Sequence, residues 1–521
     1  MAGQALADGG PKVTDAERVA AAIADGATVA LSGSGGGVGE ADALYAAVER
    51  RFLATGHPRD LTLVHALGIG DGDARGVSRF AHEGLVARVI GGHWSWSPRM
   101  QAMAEAEAIE AWVLPAGAIM LLLREIGAGR AGLITHVGLG TFADPLRGGG
   151  AANARARAAG RMPVERVEIG GRTLLRYKPM PINVALVRGS FADAAGNLST
   201  VQEAADIDLM AVALAAHNSG GRVAAQVARI VARGAIPARQ VLLPGVLVDA
   251  VVPAADQAQT YLGGYNAALS GEAGGRPDHA PGAPPPGVRG IIAARAADEI
   301  PLRASVNFGF GIPGAIPGIL AARGRLGGLW ITVEQGIHNG ELLDGALFGA
   351  ARFPEAIVSS TRQFDFYSGG GIDIACLGMG ELDAAGNVNV SRLGSKVVGP
   401  GGFVDIAQNA RRLVFCGSFD AKGTEYEHAQ GRLTLRRAGQ VAKLVSQVRE
   451  ITFSADYARQ VGQEVLYVTE RAVFRLAPEG VELLEVAPGI DLERDVLARM
   501  AFPPILRGEP RPMPAQHFQA T

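Results

Sequence analysis

The sequence predicts two related α/β domains, and three observations carry that prediction. Continuous apolar runs such as TVALSG, LTLVHALG and LWITV alternate with helical stretches such as ADALYAAVERRFLATG, a pattern typical of parallel sheets covered by helices on both faces. The composition changes once, in the proline- and glycine-rich stretch at 270–290. Similar sequence blocks recur on its two sides. We therefore expect two copies of one open α/β design joined by a linker.

Length and charge restrict the class of protein. A chain of 521 residues with 48% hydrophobic content has room for about two to four domains. The net charge of -2 and a pI near 6.6 leave no electrostatic footprint for nucleic acid or for an anionic membrane surface. Only Cys376 and Cys416 are present, so we expect no disulfide framework and no metal site, and we place both cysteines in the core.

Neither the start of the chain nor its most apolar run predicts export or a membrane span. MAGQALADGGPKVTDAERV lacks a basic region followed by an apolar core, so no secretory signal is expected. The run AWVLPAGAIMLLL at 111–123 contains a proline and is shorter than the roughly 20 residues of a spanning helix. We interpret it as a buried strand and helix, and we expect a cytoplasmic protein.

The linker sets the expected domain bounds. SGEAGGRPDHAPGAPPPGVRG at 270–290 has little apolar content, so it cannot build a core and is typical of an extended connection. We expect domains over 12–269 and 291–510. The remaining residues, 1–11 and 511–521, are expected to be poorly ordered tails.

Two pairs of blocks support the internal repeat. INVALVRGSFADAAGNLST begins at Ile182, and IDIACLGMGELDAAGNVNV begins at Ile372. Both contain Asp-Ala-Ala-Gly-Asn, a turn in which the aspartate and asparagine are expected to bond the backbone and the glycine to take positive φ. AHNSGGRVAAQV from Ala216 matches AQNARRLVFCG from Ala407 at nearly the same spacing.

A third pair draws attention to one carboxylate. LTLVHALGIGDG from Leu61 aligns with LWITVEQGIHNG from Leu329, which puts Ala66 where the second half has Glu334. Only the second half therefore carries an acid at this strand end.

Two enzyme classes could use that acid. Each half has a glycine-rich turn after a strand, TVALSGSGGGVGEADAL and ASVNFGFGIPGAIPGIL, where backbone N–H groups could meet an anion. The second turn contains Gly309-x-Gly311-x-x-Gly314, with Glu334 following 20 residues later, as in a dinucleotide-binding oxidoreductase that uses NAD. The turns Gln335-Gly336 and Asn339-Gly340 after the acid instead favour a nucleophile that a bulky acyl group must reach.

The chain resembles the family I CoA-transferases, most closely the fused two-domain branch of acetate and propionate CoA-transferases. The resemblance covers nearly the whole chain, in RFLATGHPRDLTLVHALGIGDG, FAHEGLVARVIGGHW, AGLITHVGLGTFADP, KPMPINVALVRGSFADAAGNLS, VNFGFGIP, LWITVEQG, RQFDFYSGGGIDIACLGMGELDAAGNVNVS, GPGGFVDIAQNARRLVFCG and LYVTERAVFRL. It implies two CoA-transferase domains of the NagB/RpiA-like type with the active site between them. The glutamate nucleophile of the family falls on Glu334.

The resemblance implies a ping-pong reaction through a glutamyl-CoA thioester on Glu334. Acyl-CoA and small carboxylic acids are the substrates, with no tightly bound cofactor and no metal. No general base is needed, since both nucleophile and acceptor acid are expected to be ionised at neutral pH. A homo-oligomer, a dimer or tetramer, is also implied. The hydrolysis of acyl-CoA on the same scaffold is an alternative that the sequence leaves open.

The resemblance also implies site residues. The backbone donors for oxyanions are Gly309, Gly311 and Gly402, and the CoA-binding residues are Gly399, Gly401, Gly402 and Phe403. The candidates for the acyl pocket, from the blocks VLPAGAIM, GGHWSWSPR, QGIHNGELL and RQFDFYSGGG, are Ala116, His93, Gln335, His338 and Phe366.

Three departures from the family cluster around this pocket. Relatives commonly have a glutamine where this chain has Ala116, a Phe and a Pro in the first glycine turn, and a small glycine-rich segment after the nucleophile. Here those segments read VLPAGAIM, SGSGGGVGEAD and QGIHNGELL. We expect the exchange chemistry to be kept while the acid differs from acetate or propionate, with a larger or more apolar acyl group favoured.

Overall fold

The computed structural model describes residues 12–275 and 285–518. The expected tail at 1–11 lies outside the described residues, as do 276–284 of the linker and 519–521. Two large sheets dominate the described chain, and their strands come from opposite sides of the linker. The division into domains at 270–290 remains our proposal. The helix that begins at Val288 shortens the expected linker at its carboxyl end.

The first half builds an eight-stranded sheet and a small three-stranded sheet. Its strands are β1 (Thr28–Leu31), β2 (Leu61–His65), β3 (Val86–Gly91), β4 (Glu110–Val113), β5 (Leu133–Thr135), β6 (Val164–Ile169), β7 (Arg172–Tyr177), β8 (Val184–Asp193), β9 (Leu198–Ser199), β10 (Arg222–Val231) and β11 (Ala250–Pro253). Its helices are α1 (Ala16–Ala21), α2 (Asp42–Thr55), α3 (Pro98–Glu105), α4 (Ala116–Gly127), α5 (Ala154–Ala158), α6 (Leu209–Asn218) and α7 (Ala267–Ser270).

The second half builds a ten-stranded sheet and several short hairpins. Its strands are β12 (Ala304–Phe308), β13 (Leu329–Val333), β14 (Ile337–His338), β15 (Glu341–Leu342), β16 (Ala351–Arg352), β17 (Ala356–Ile357), β18 (Ile374–Gly378), β19 (Glu381–Asp383), β20 (Val388–Asn389), β21 (Arg392–Leu393), β22 (Lys396–Val397), β23 (Arg412–Cys416), β24 (Asp420–Ala421), β25 (Glu425–Ala429), β26 (Arg432–Arg437), β27 (Val441–Ala442), β28 (Leu444–Val445), β29 (Glu464–Val468), β30 (Ala472–Ala477), β31 (Gly480–Val486) and β32 (Arg511–Pro512). Its helices are α8 (Val288–Ala297), α9 (Ile316–Ala322), α10 (Ser360–Ser368), α11 (Phe403–Asn409) and α12 (Ala455–Gln460).

The two large sheets share a four-stranded parallel centre, which confirms the predicted repeat. In the first sheet the order is β10-β8-β1-β2, and in the second it is β23-β18-β12-β13. Every neighbouring pair in both sets is parallel. Ala66 directly follows β2 and Glu334 directly follows β13, so the two positions correspond in the fold as they do in the aligned sequences.

The apolar run at 111–123 forms the end of β4 and most of α4, as the sequence indicates. Nearly every residue of α4 is buried, because the helix packs between the two halves and against α6 and α10. Cys376 and Cys416 are buried and unpaired by disulfide, as expected. Among the described residues no helix is both long enough and apolar enough to cross a bilayer.

The expected C-terminal tail is corrected for residues 511–518. The strand β32 pairs with β31, and Phe518 is fully buried. A hydrogen bond of 2.6 Å joins Nε2 of His517 to Oδ2 of Asp298. An aromatic side chain and a paired histidine therefore hold this segment against the second half of the chain.

The repeated Asp-Ala-Ala-Gly-Asn turns form the same hydrogen bonds in both halves. Oδ1 of Asp193 accepts from the N–H groups of Ala195 and Asn197, both at 3.0 Å. Oδ1 of Asp383 accepts from the equivalent N–H groups at 3.0 and 2.9 Å. Each glycine has positive φ, so the turn follows the chemistry predicted from its residues.

We expect Asp383→Ala to lower the free energy of unfolding by about 2 kcal/mol, because a buried carboxylate that accepts several N–H groups would be lost. Asp193→Ala is the matched variant in the first half and should cost a similar amount. Chemical denaturation followed by circular dichroism measures both. A loss below about 0.5 kcal/mol in both variants would show that the turns do not stabilise the halves.

Candidate active site

Glu334 lies at the carboxyl edge of the second sheet, where parallel strands commonly present functional side chains. The strand β13 that precedes it is buried apart from Trp330, while Glu334 itself is partly exposed. The chain turns sharply at Gly336, which has a φ of 92°. A β-carbon at that position would clash with the carbonyl oxygen of Val358. The tight turn therefore holds Glu334 at the strand end.

The N–H of Gly402 lies beside the Glu334 carboxylate and favours its ionised form. Gly402 immediately precedes α11, so the donor belongs to the amino end of a helix. A β-carbon on Gly402 would overlap Oε2 of Glu334. Only glycine allows the backbone to approach the carboxylate this closely.

Two hydrogen bonds of the Gly401 peptide tie the Gly401–Gly402 segment to the first half of the chain. The N–H of Gly401 donates to the carbonyl oxygen of Gly92, and the N–H of Ala116 donates to the carbonyl oxygen of Gly401, both at 2.9 Å. Gly92 follows β3 and Ala116 begins α4. The carboxyl edges of both large sheets therefore meet around Glu334.

Burial changes the ionisation of Glu334. Desolvation raises its pKa to about 7, although the N–H of Gly402 opposes the shift. Glu334 therefore titrates closer to neutral pH than the ordinary glutamate that the sequence alone predicts.

A second buried acid, Asp405, lies one turn along α11 and was not singled out from the sequence. Its Oδ2 accepts from the N–H of Gly117 at 3.0 Å, and the N–H of Ala118 also favours its ionised form. Burial first, and the charge of Glu334 in addition, raise the pKa of Asp405 to about 8. Asp405 thus caps α4 from the other half of the chain. The feature of the sequence that could have identified Asp405 is an acid in the first turn of an apolar helix.

The first glycine turn faces the second half of the chain. Nε2 of Gln335 lies 3.4 Å from Oγ of Ser34, and a β-carbon on Gly36 would clash with the carbonyl oxygen of Ala346. Glu40 shapes this turn because its carboxylate accepts from the N–H of Gly37 at 3.2 Å. It also accepts from Gly70 N–H at 2.9 Å and from the Tyr261 hydroxyl at 2.7 Å. Burial raises the pKa of Glu40 to about 8.

The glycines expected to donate to oxyanions and to CoA differ in whether their N–H groups are already hydrogen-bonded within the chain. The N–H of Gly309 bonds the carbonyl oxygen of Cys376 at 2.9 Å, and that of Gly399 bonds Ser391 at 3.0 Å. The N–H of Gly401 is likewise taken by Gly92. Among the described residues Gly311 N–H meets no acceptor, and Gly402 N–H faces Glu334. We therefore correct the assignment of Gly309 as a donor.

Phe403, expected to contact CoA, turns away from the site. Its ring stacks on Phe415 with centroids 5.8 Å apart, and only 8% of the residue is exposed. Its side chain therefore belongs to the core of the second half, and only its backbone remains near the Gly402 segment.

The acyl-pocket candidates divide into two groups. His93 and Ala116 contact the Gly401 segment. Gln335 is buried against Ser34 and Gly349, and its amide oxygen has no hydrogen-bond partner in the described chain.

His338 and Phe366 lie elsewhere, in a cavity of about 510 Å³ that Trp330, Asp373 and Arg411 also line. Asp373 and Arg411 flank the amino ends of β18 and β23, at the opposite sheet edge from Glu334. The structure therefore does not bring His338 and Phe366 to the carboxylate.

Nothing in the local structure supports the dinucleotide alternative. The glycines from Gly309 to Gly314 lead into a short 3-10 turn and the seven-residue α9, and Glu334 points at Gly402.

Over residues 12–275 and 285–518 no group of three or more His, Cys, Asp or Glu side chains is arranged to hold a metal ion.

Known proteins share the sequence and the fold of this chain over nearly its whole length. The family described as "Coenzyme A transferase" matches residues 13–254. The acetate CoA-transferase YdiF of Escherichia coli O157:H7 is 36% identical over 97% of this chain and 95% of its own. The caffeate CoA-transferase of Acetobacterium woodii is 38% identical over 97% of both chains. The crystal structure of the YdiF thioester complex with CoA superposes with a TM-score of 0.91 at 35% identity, over 98% of this chain and 96% of that one.

We expect Asp405→Ala to lower the free energy of unfolding by about 1–2 kcal/mol, because α4 would lose its cap. Asp405→Asn keeps an oxygen acceptor and should retain most of the stability. The control is Asp365→Ala. Asp365 lies on α10, and its half-exposed carboxylate pairs with Arg124 of α4, so its loss should cost less than about 0.5 kcal/mol. Equal losses in the two alanine variants, measured by urea denaturation, would contradict the capping role.

Proposed function

The chain belongs to the coenzyme A transferase family and transfers CoA to a carboxylate, and we propose that Glu334 carries the CoA as a glutamyl thioester between two half-reactions. The observation that carries the proposal is the Glu334 carboxylate held between the two halves of the chain against the N–H of Gly402. The acids used and the route through Glu334 are part of the proposal.

In the first half-reaction the ionised carboxylate of Glu334 attacks the thioester carbonyl of acyl-CoA. The C–S bond breaks, leaving an acyl-glutamyl anhydride and CoA thiolate. The thiolate then attacks the glutamyl carbonyl, and the donor acid departs as its carboxylate. The product is a thioester between CoA and Glu334.

The second half-reaction reverses these steps with a different acid. Its carboxylate attacks the glutamyl carbonyl, releases CoA thiolate and forms a new anhydride. The thiolate attacks the acyl carbonyl of that anhydride, which yields the new acyl-CoA and restores Glu334. No step consumes a proton, and one thioester is exchanged for another.

The Gly402 N–H supports two roles in this scheme. In the free enzyme it lies beside the carboxylate and favours its ionised form. When the thiolate attacks the glutamyl carbonyl, negative charge develops on the oxygen next to this N–H, and a preorganised donor stabilises that charge. Gly311 N–H is the second candidate donor, since it has no acceptor within the described chain.

We propose a monocarboxylic acid with an apolar acyl group as the exchanged substrate. His93 and Phe364 lie against the Gly401–Gly402 segment, and neither carries a positive charge for a second carboxylate. Burial lowers the pKa of His93 to about 4, so it stays neutral at pH 7. The relatives named for acetate and caffeate also act on monocarboxylates. Assembly into a homo-oligomer and a cytoplasmic location remain proposals as well.

Wild-type enzyme mixed with acyl-CoA should gain the mass of CoA less one water, and Glu334→Gln should not, because an amide cannot form the anhydride. Intact-protein mass spectrometry with acetyl-CoA and longer acyl-CoAs measures the adduct, which hydroxylamine should remove. Asp365→Ala, a half-exposed acid outside this site, should form the adduct like wild type.

The proposal fails if no donor gives an adduct, or if Glu334→Gln gains one. Steady release of CoA in the absence of an acceptor acid would identify a hydrolase on this scaffold instead.

The rate of adduct formation should rise with pH, reach half its maximum near pH 7 and level off above it. The reason is that only ionised Glu334 attacks, and burial raises its pKa to about 7. Below the pKa the rate should fall about tenfold per pH unit. Quenched single turnovers from pH 5 to 9 measure this profile, and a rate independent of pH below 6 would contradict it.

The same ionisation affects stability. Because the folded-state pKa of Glu334 lies above its ordinary value of 4.5, its contribution is fully present below pH 4.5 and is lost as the pH rises through 7. Glu334→Gln cannot ionise, so its stability relative to wild type should increase over this interval. Denaturation of both proteins at pH 5 and pH 8 provides the comparison.

A further inference from the structure

The helix α10 turns one buried face toward the segment around Gly402. Its buried residues recur every three or four positions, at Ser360, Gln363, Phe364 and Tyr367. A β-carbon on Gly402 would lie 3.2 Å from Cζ of Phe364, and one on Gly117 would clash with Cδ1 of the same ring. The Phe364 ring therefore lies directly against the backbone that carries the Gly402 N–H.

Tyr367 ties the carboxyl end of α10 to the strand that precedes Glu334. Its hydroxyl donates to Oγ1 of Thr332 in β13 at 3.1 Å. Nδ2 of Asn307 in β12 donates to the Tyr367 hydroxyl at 3.4 Å and to the carbonyl oxygen of Thr332 at 3.0 Å. Thr332 and Tyr367 are fully buried, so the bond between them is shielded from bulk water.

Thr332 is close to Glu334 both along the chain and in space. It lies two residues before the acid, and a hydrogen bond of 2.9 Å from Gly336 N–H to the carbonyl oxygen of Val333 closes the turn that carries Glu334. Burial first, and the charge of Glu334 in addition, raise the pKa of Tyr367. The Tyr367 hydroxyl is therefore a neutral donor within electrostatic reach of the carboxylate.

The chain also enters α10 from the turn of Glu334. Two residues before the helix begins, the N–H of Val358 donates to the carbonyl oxygen of Gly336 at 2.9 Å. The helix is thus anchored to this turn at its amino end and to β13 at its carboxyl end. Phe364 lies between the two anchors, so the position of its ring relative to Glu334 depends on both.

We propose that Tyr367 is a positioning residue whose hydroxyl fixes α10 to the strand before Glu334, so that Phe364 holds the Gly402 N–H beside the carboxylate. The inference rests on the proposed function, since it assumes that Glu334 is the nucleophile. Without the hydroxyl, α10 can shift on β13, and the carboxylate and the Gly402 N–H spend less time at the separation that the reaction needs. The cost then falls on the chemical step and not on the binding of CoA.

The first test is single-turnover adduct formation by Tyr367→Phe, with the acyl-CoA that labels wild type. The substitution removes one oxygen and keeps the ring, whose centroid lies 5.8 Å from that of Phe364. The maximal rate should fall about tenfold, while the half-saturating concentration of acyl-CoA stays within about twofold of wild type. An unchanged maximal rate with weaker binding would overturn the inference.

Tyr467→Phe is the matched control. Tyr467 is likewise fully buried, its hydroxyl donates to the carbonyl oxygen of Gly386 at 2.6 Å, and its ring stacks on Phe415. Phenylalanine at this position should lower the thermal stability comparably and leave both kinetic constants unchanged. A tenfold loss of rate in both variants would reduce the effect to a general loosening of the core.

Thr332 gives a second measurement that does not depend on the folding of Tyr367→Phe. Thr332→Val removes the acceptor and should lower the maximal rate as Tyr367→Phe does, whereas Thr332→Ser keeps an oxygen and should restore most of that loss. In the double variant Tyr367→Phe/Thr332→Val both partners of the bond are absent, so the rate should be no lower than in the slower single variant. Losses that multiply would show that the two residues act separately, against the inference.

The outcomes separate this inference from the proposed function. If wild type forms the CoA adduct and Tyr367→Phe forms it at the same maximal rate, the hydroxyl does not position the site and the inference is overturned. If wild type forms no adduct with any acyl-CoA, the proposed function fails first. Thermal unfolding of each variant identifies any loss that comes from misfolding, and the two Thr332 variants then decide.

Discussion

The peptide of Gly401 is the contact on which the arrangement of the site depends. Its N–H and its carbonyl oxygen each form a 2.9 Å hydrogen bond to the first half of the chain, at Gly92 and Ala116. These bonds hold the next residue, Gly402, with its N–H toward Glu334. Because a backbone donor has no rotamers, fixing one peptide fixes the direction of the donor without further loss of side-chain entropy.

Carboxylates with raised pKa values recur around this contact, and glycine N–H groups lie beside each of them. The pairs are Glu334 with Gly402, Asp405 with Gly117, and Glu40 with Gly37 and Gly70. In every case desolvation is the largest cause of a raised pKa, and the N–H groups oppose it. The glycine-rich composition of the chain is partly explained by this need, since a β-carbon at Gly402 or Gly117 would overlap the carboxylate. Burial costs the acid free energy, and it leaves a nucleophile that is less solvated and more reactive.

The two halves of the internal repeat contribute different parts of the site. The two halves share a parallel four-stranded centre, and Ala66 and Glu334 occupy equivalent strand ends. The second half supplies the carboxylate and the donor of Gly402. The first half supplies Gly92 and Ala116, the hydrogen-bond partners of the Gly401 peptide, and the His93 side chain beside it. The carboxylate therefore comes from one half of the chain, and the other half fixes the peptide that lies beside it.

The sequence by itself determined the paired α/β halves, the Asp-Ala-Ala-Gly-Asn turns and the singular position of Glu334, because these depend on local periodicity, turn chemistry and strand ends. Which glycine N–H groups are free was decided by tertiary structure, since Gly309 and Gly401 donate to residues far away in the chain. The separation of His338 and Phe366 from the carboxylate also followed from strand direction and sheet order. The same holds for Asp405 and the raised pKa of Glu334, because burial and contacts between the halves exist only once both sheets are brought together.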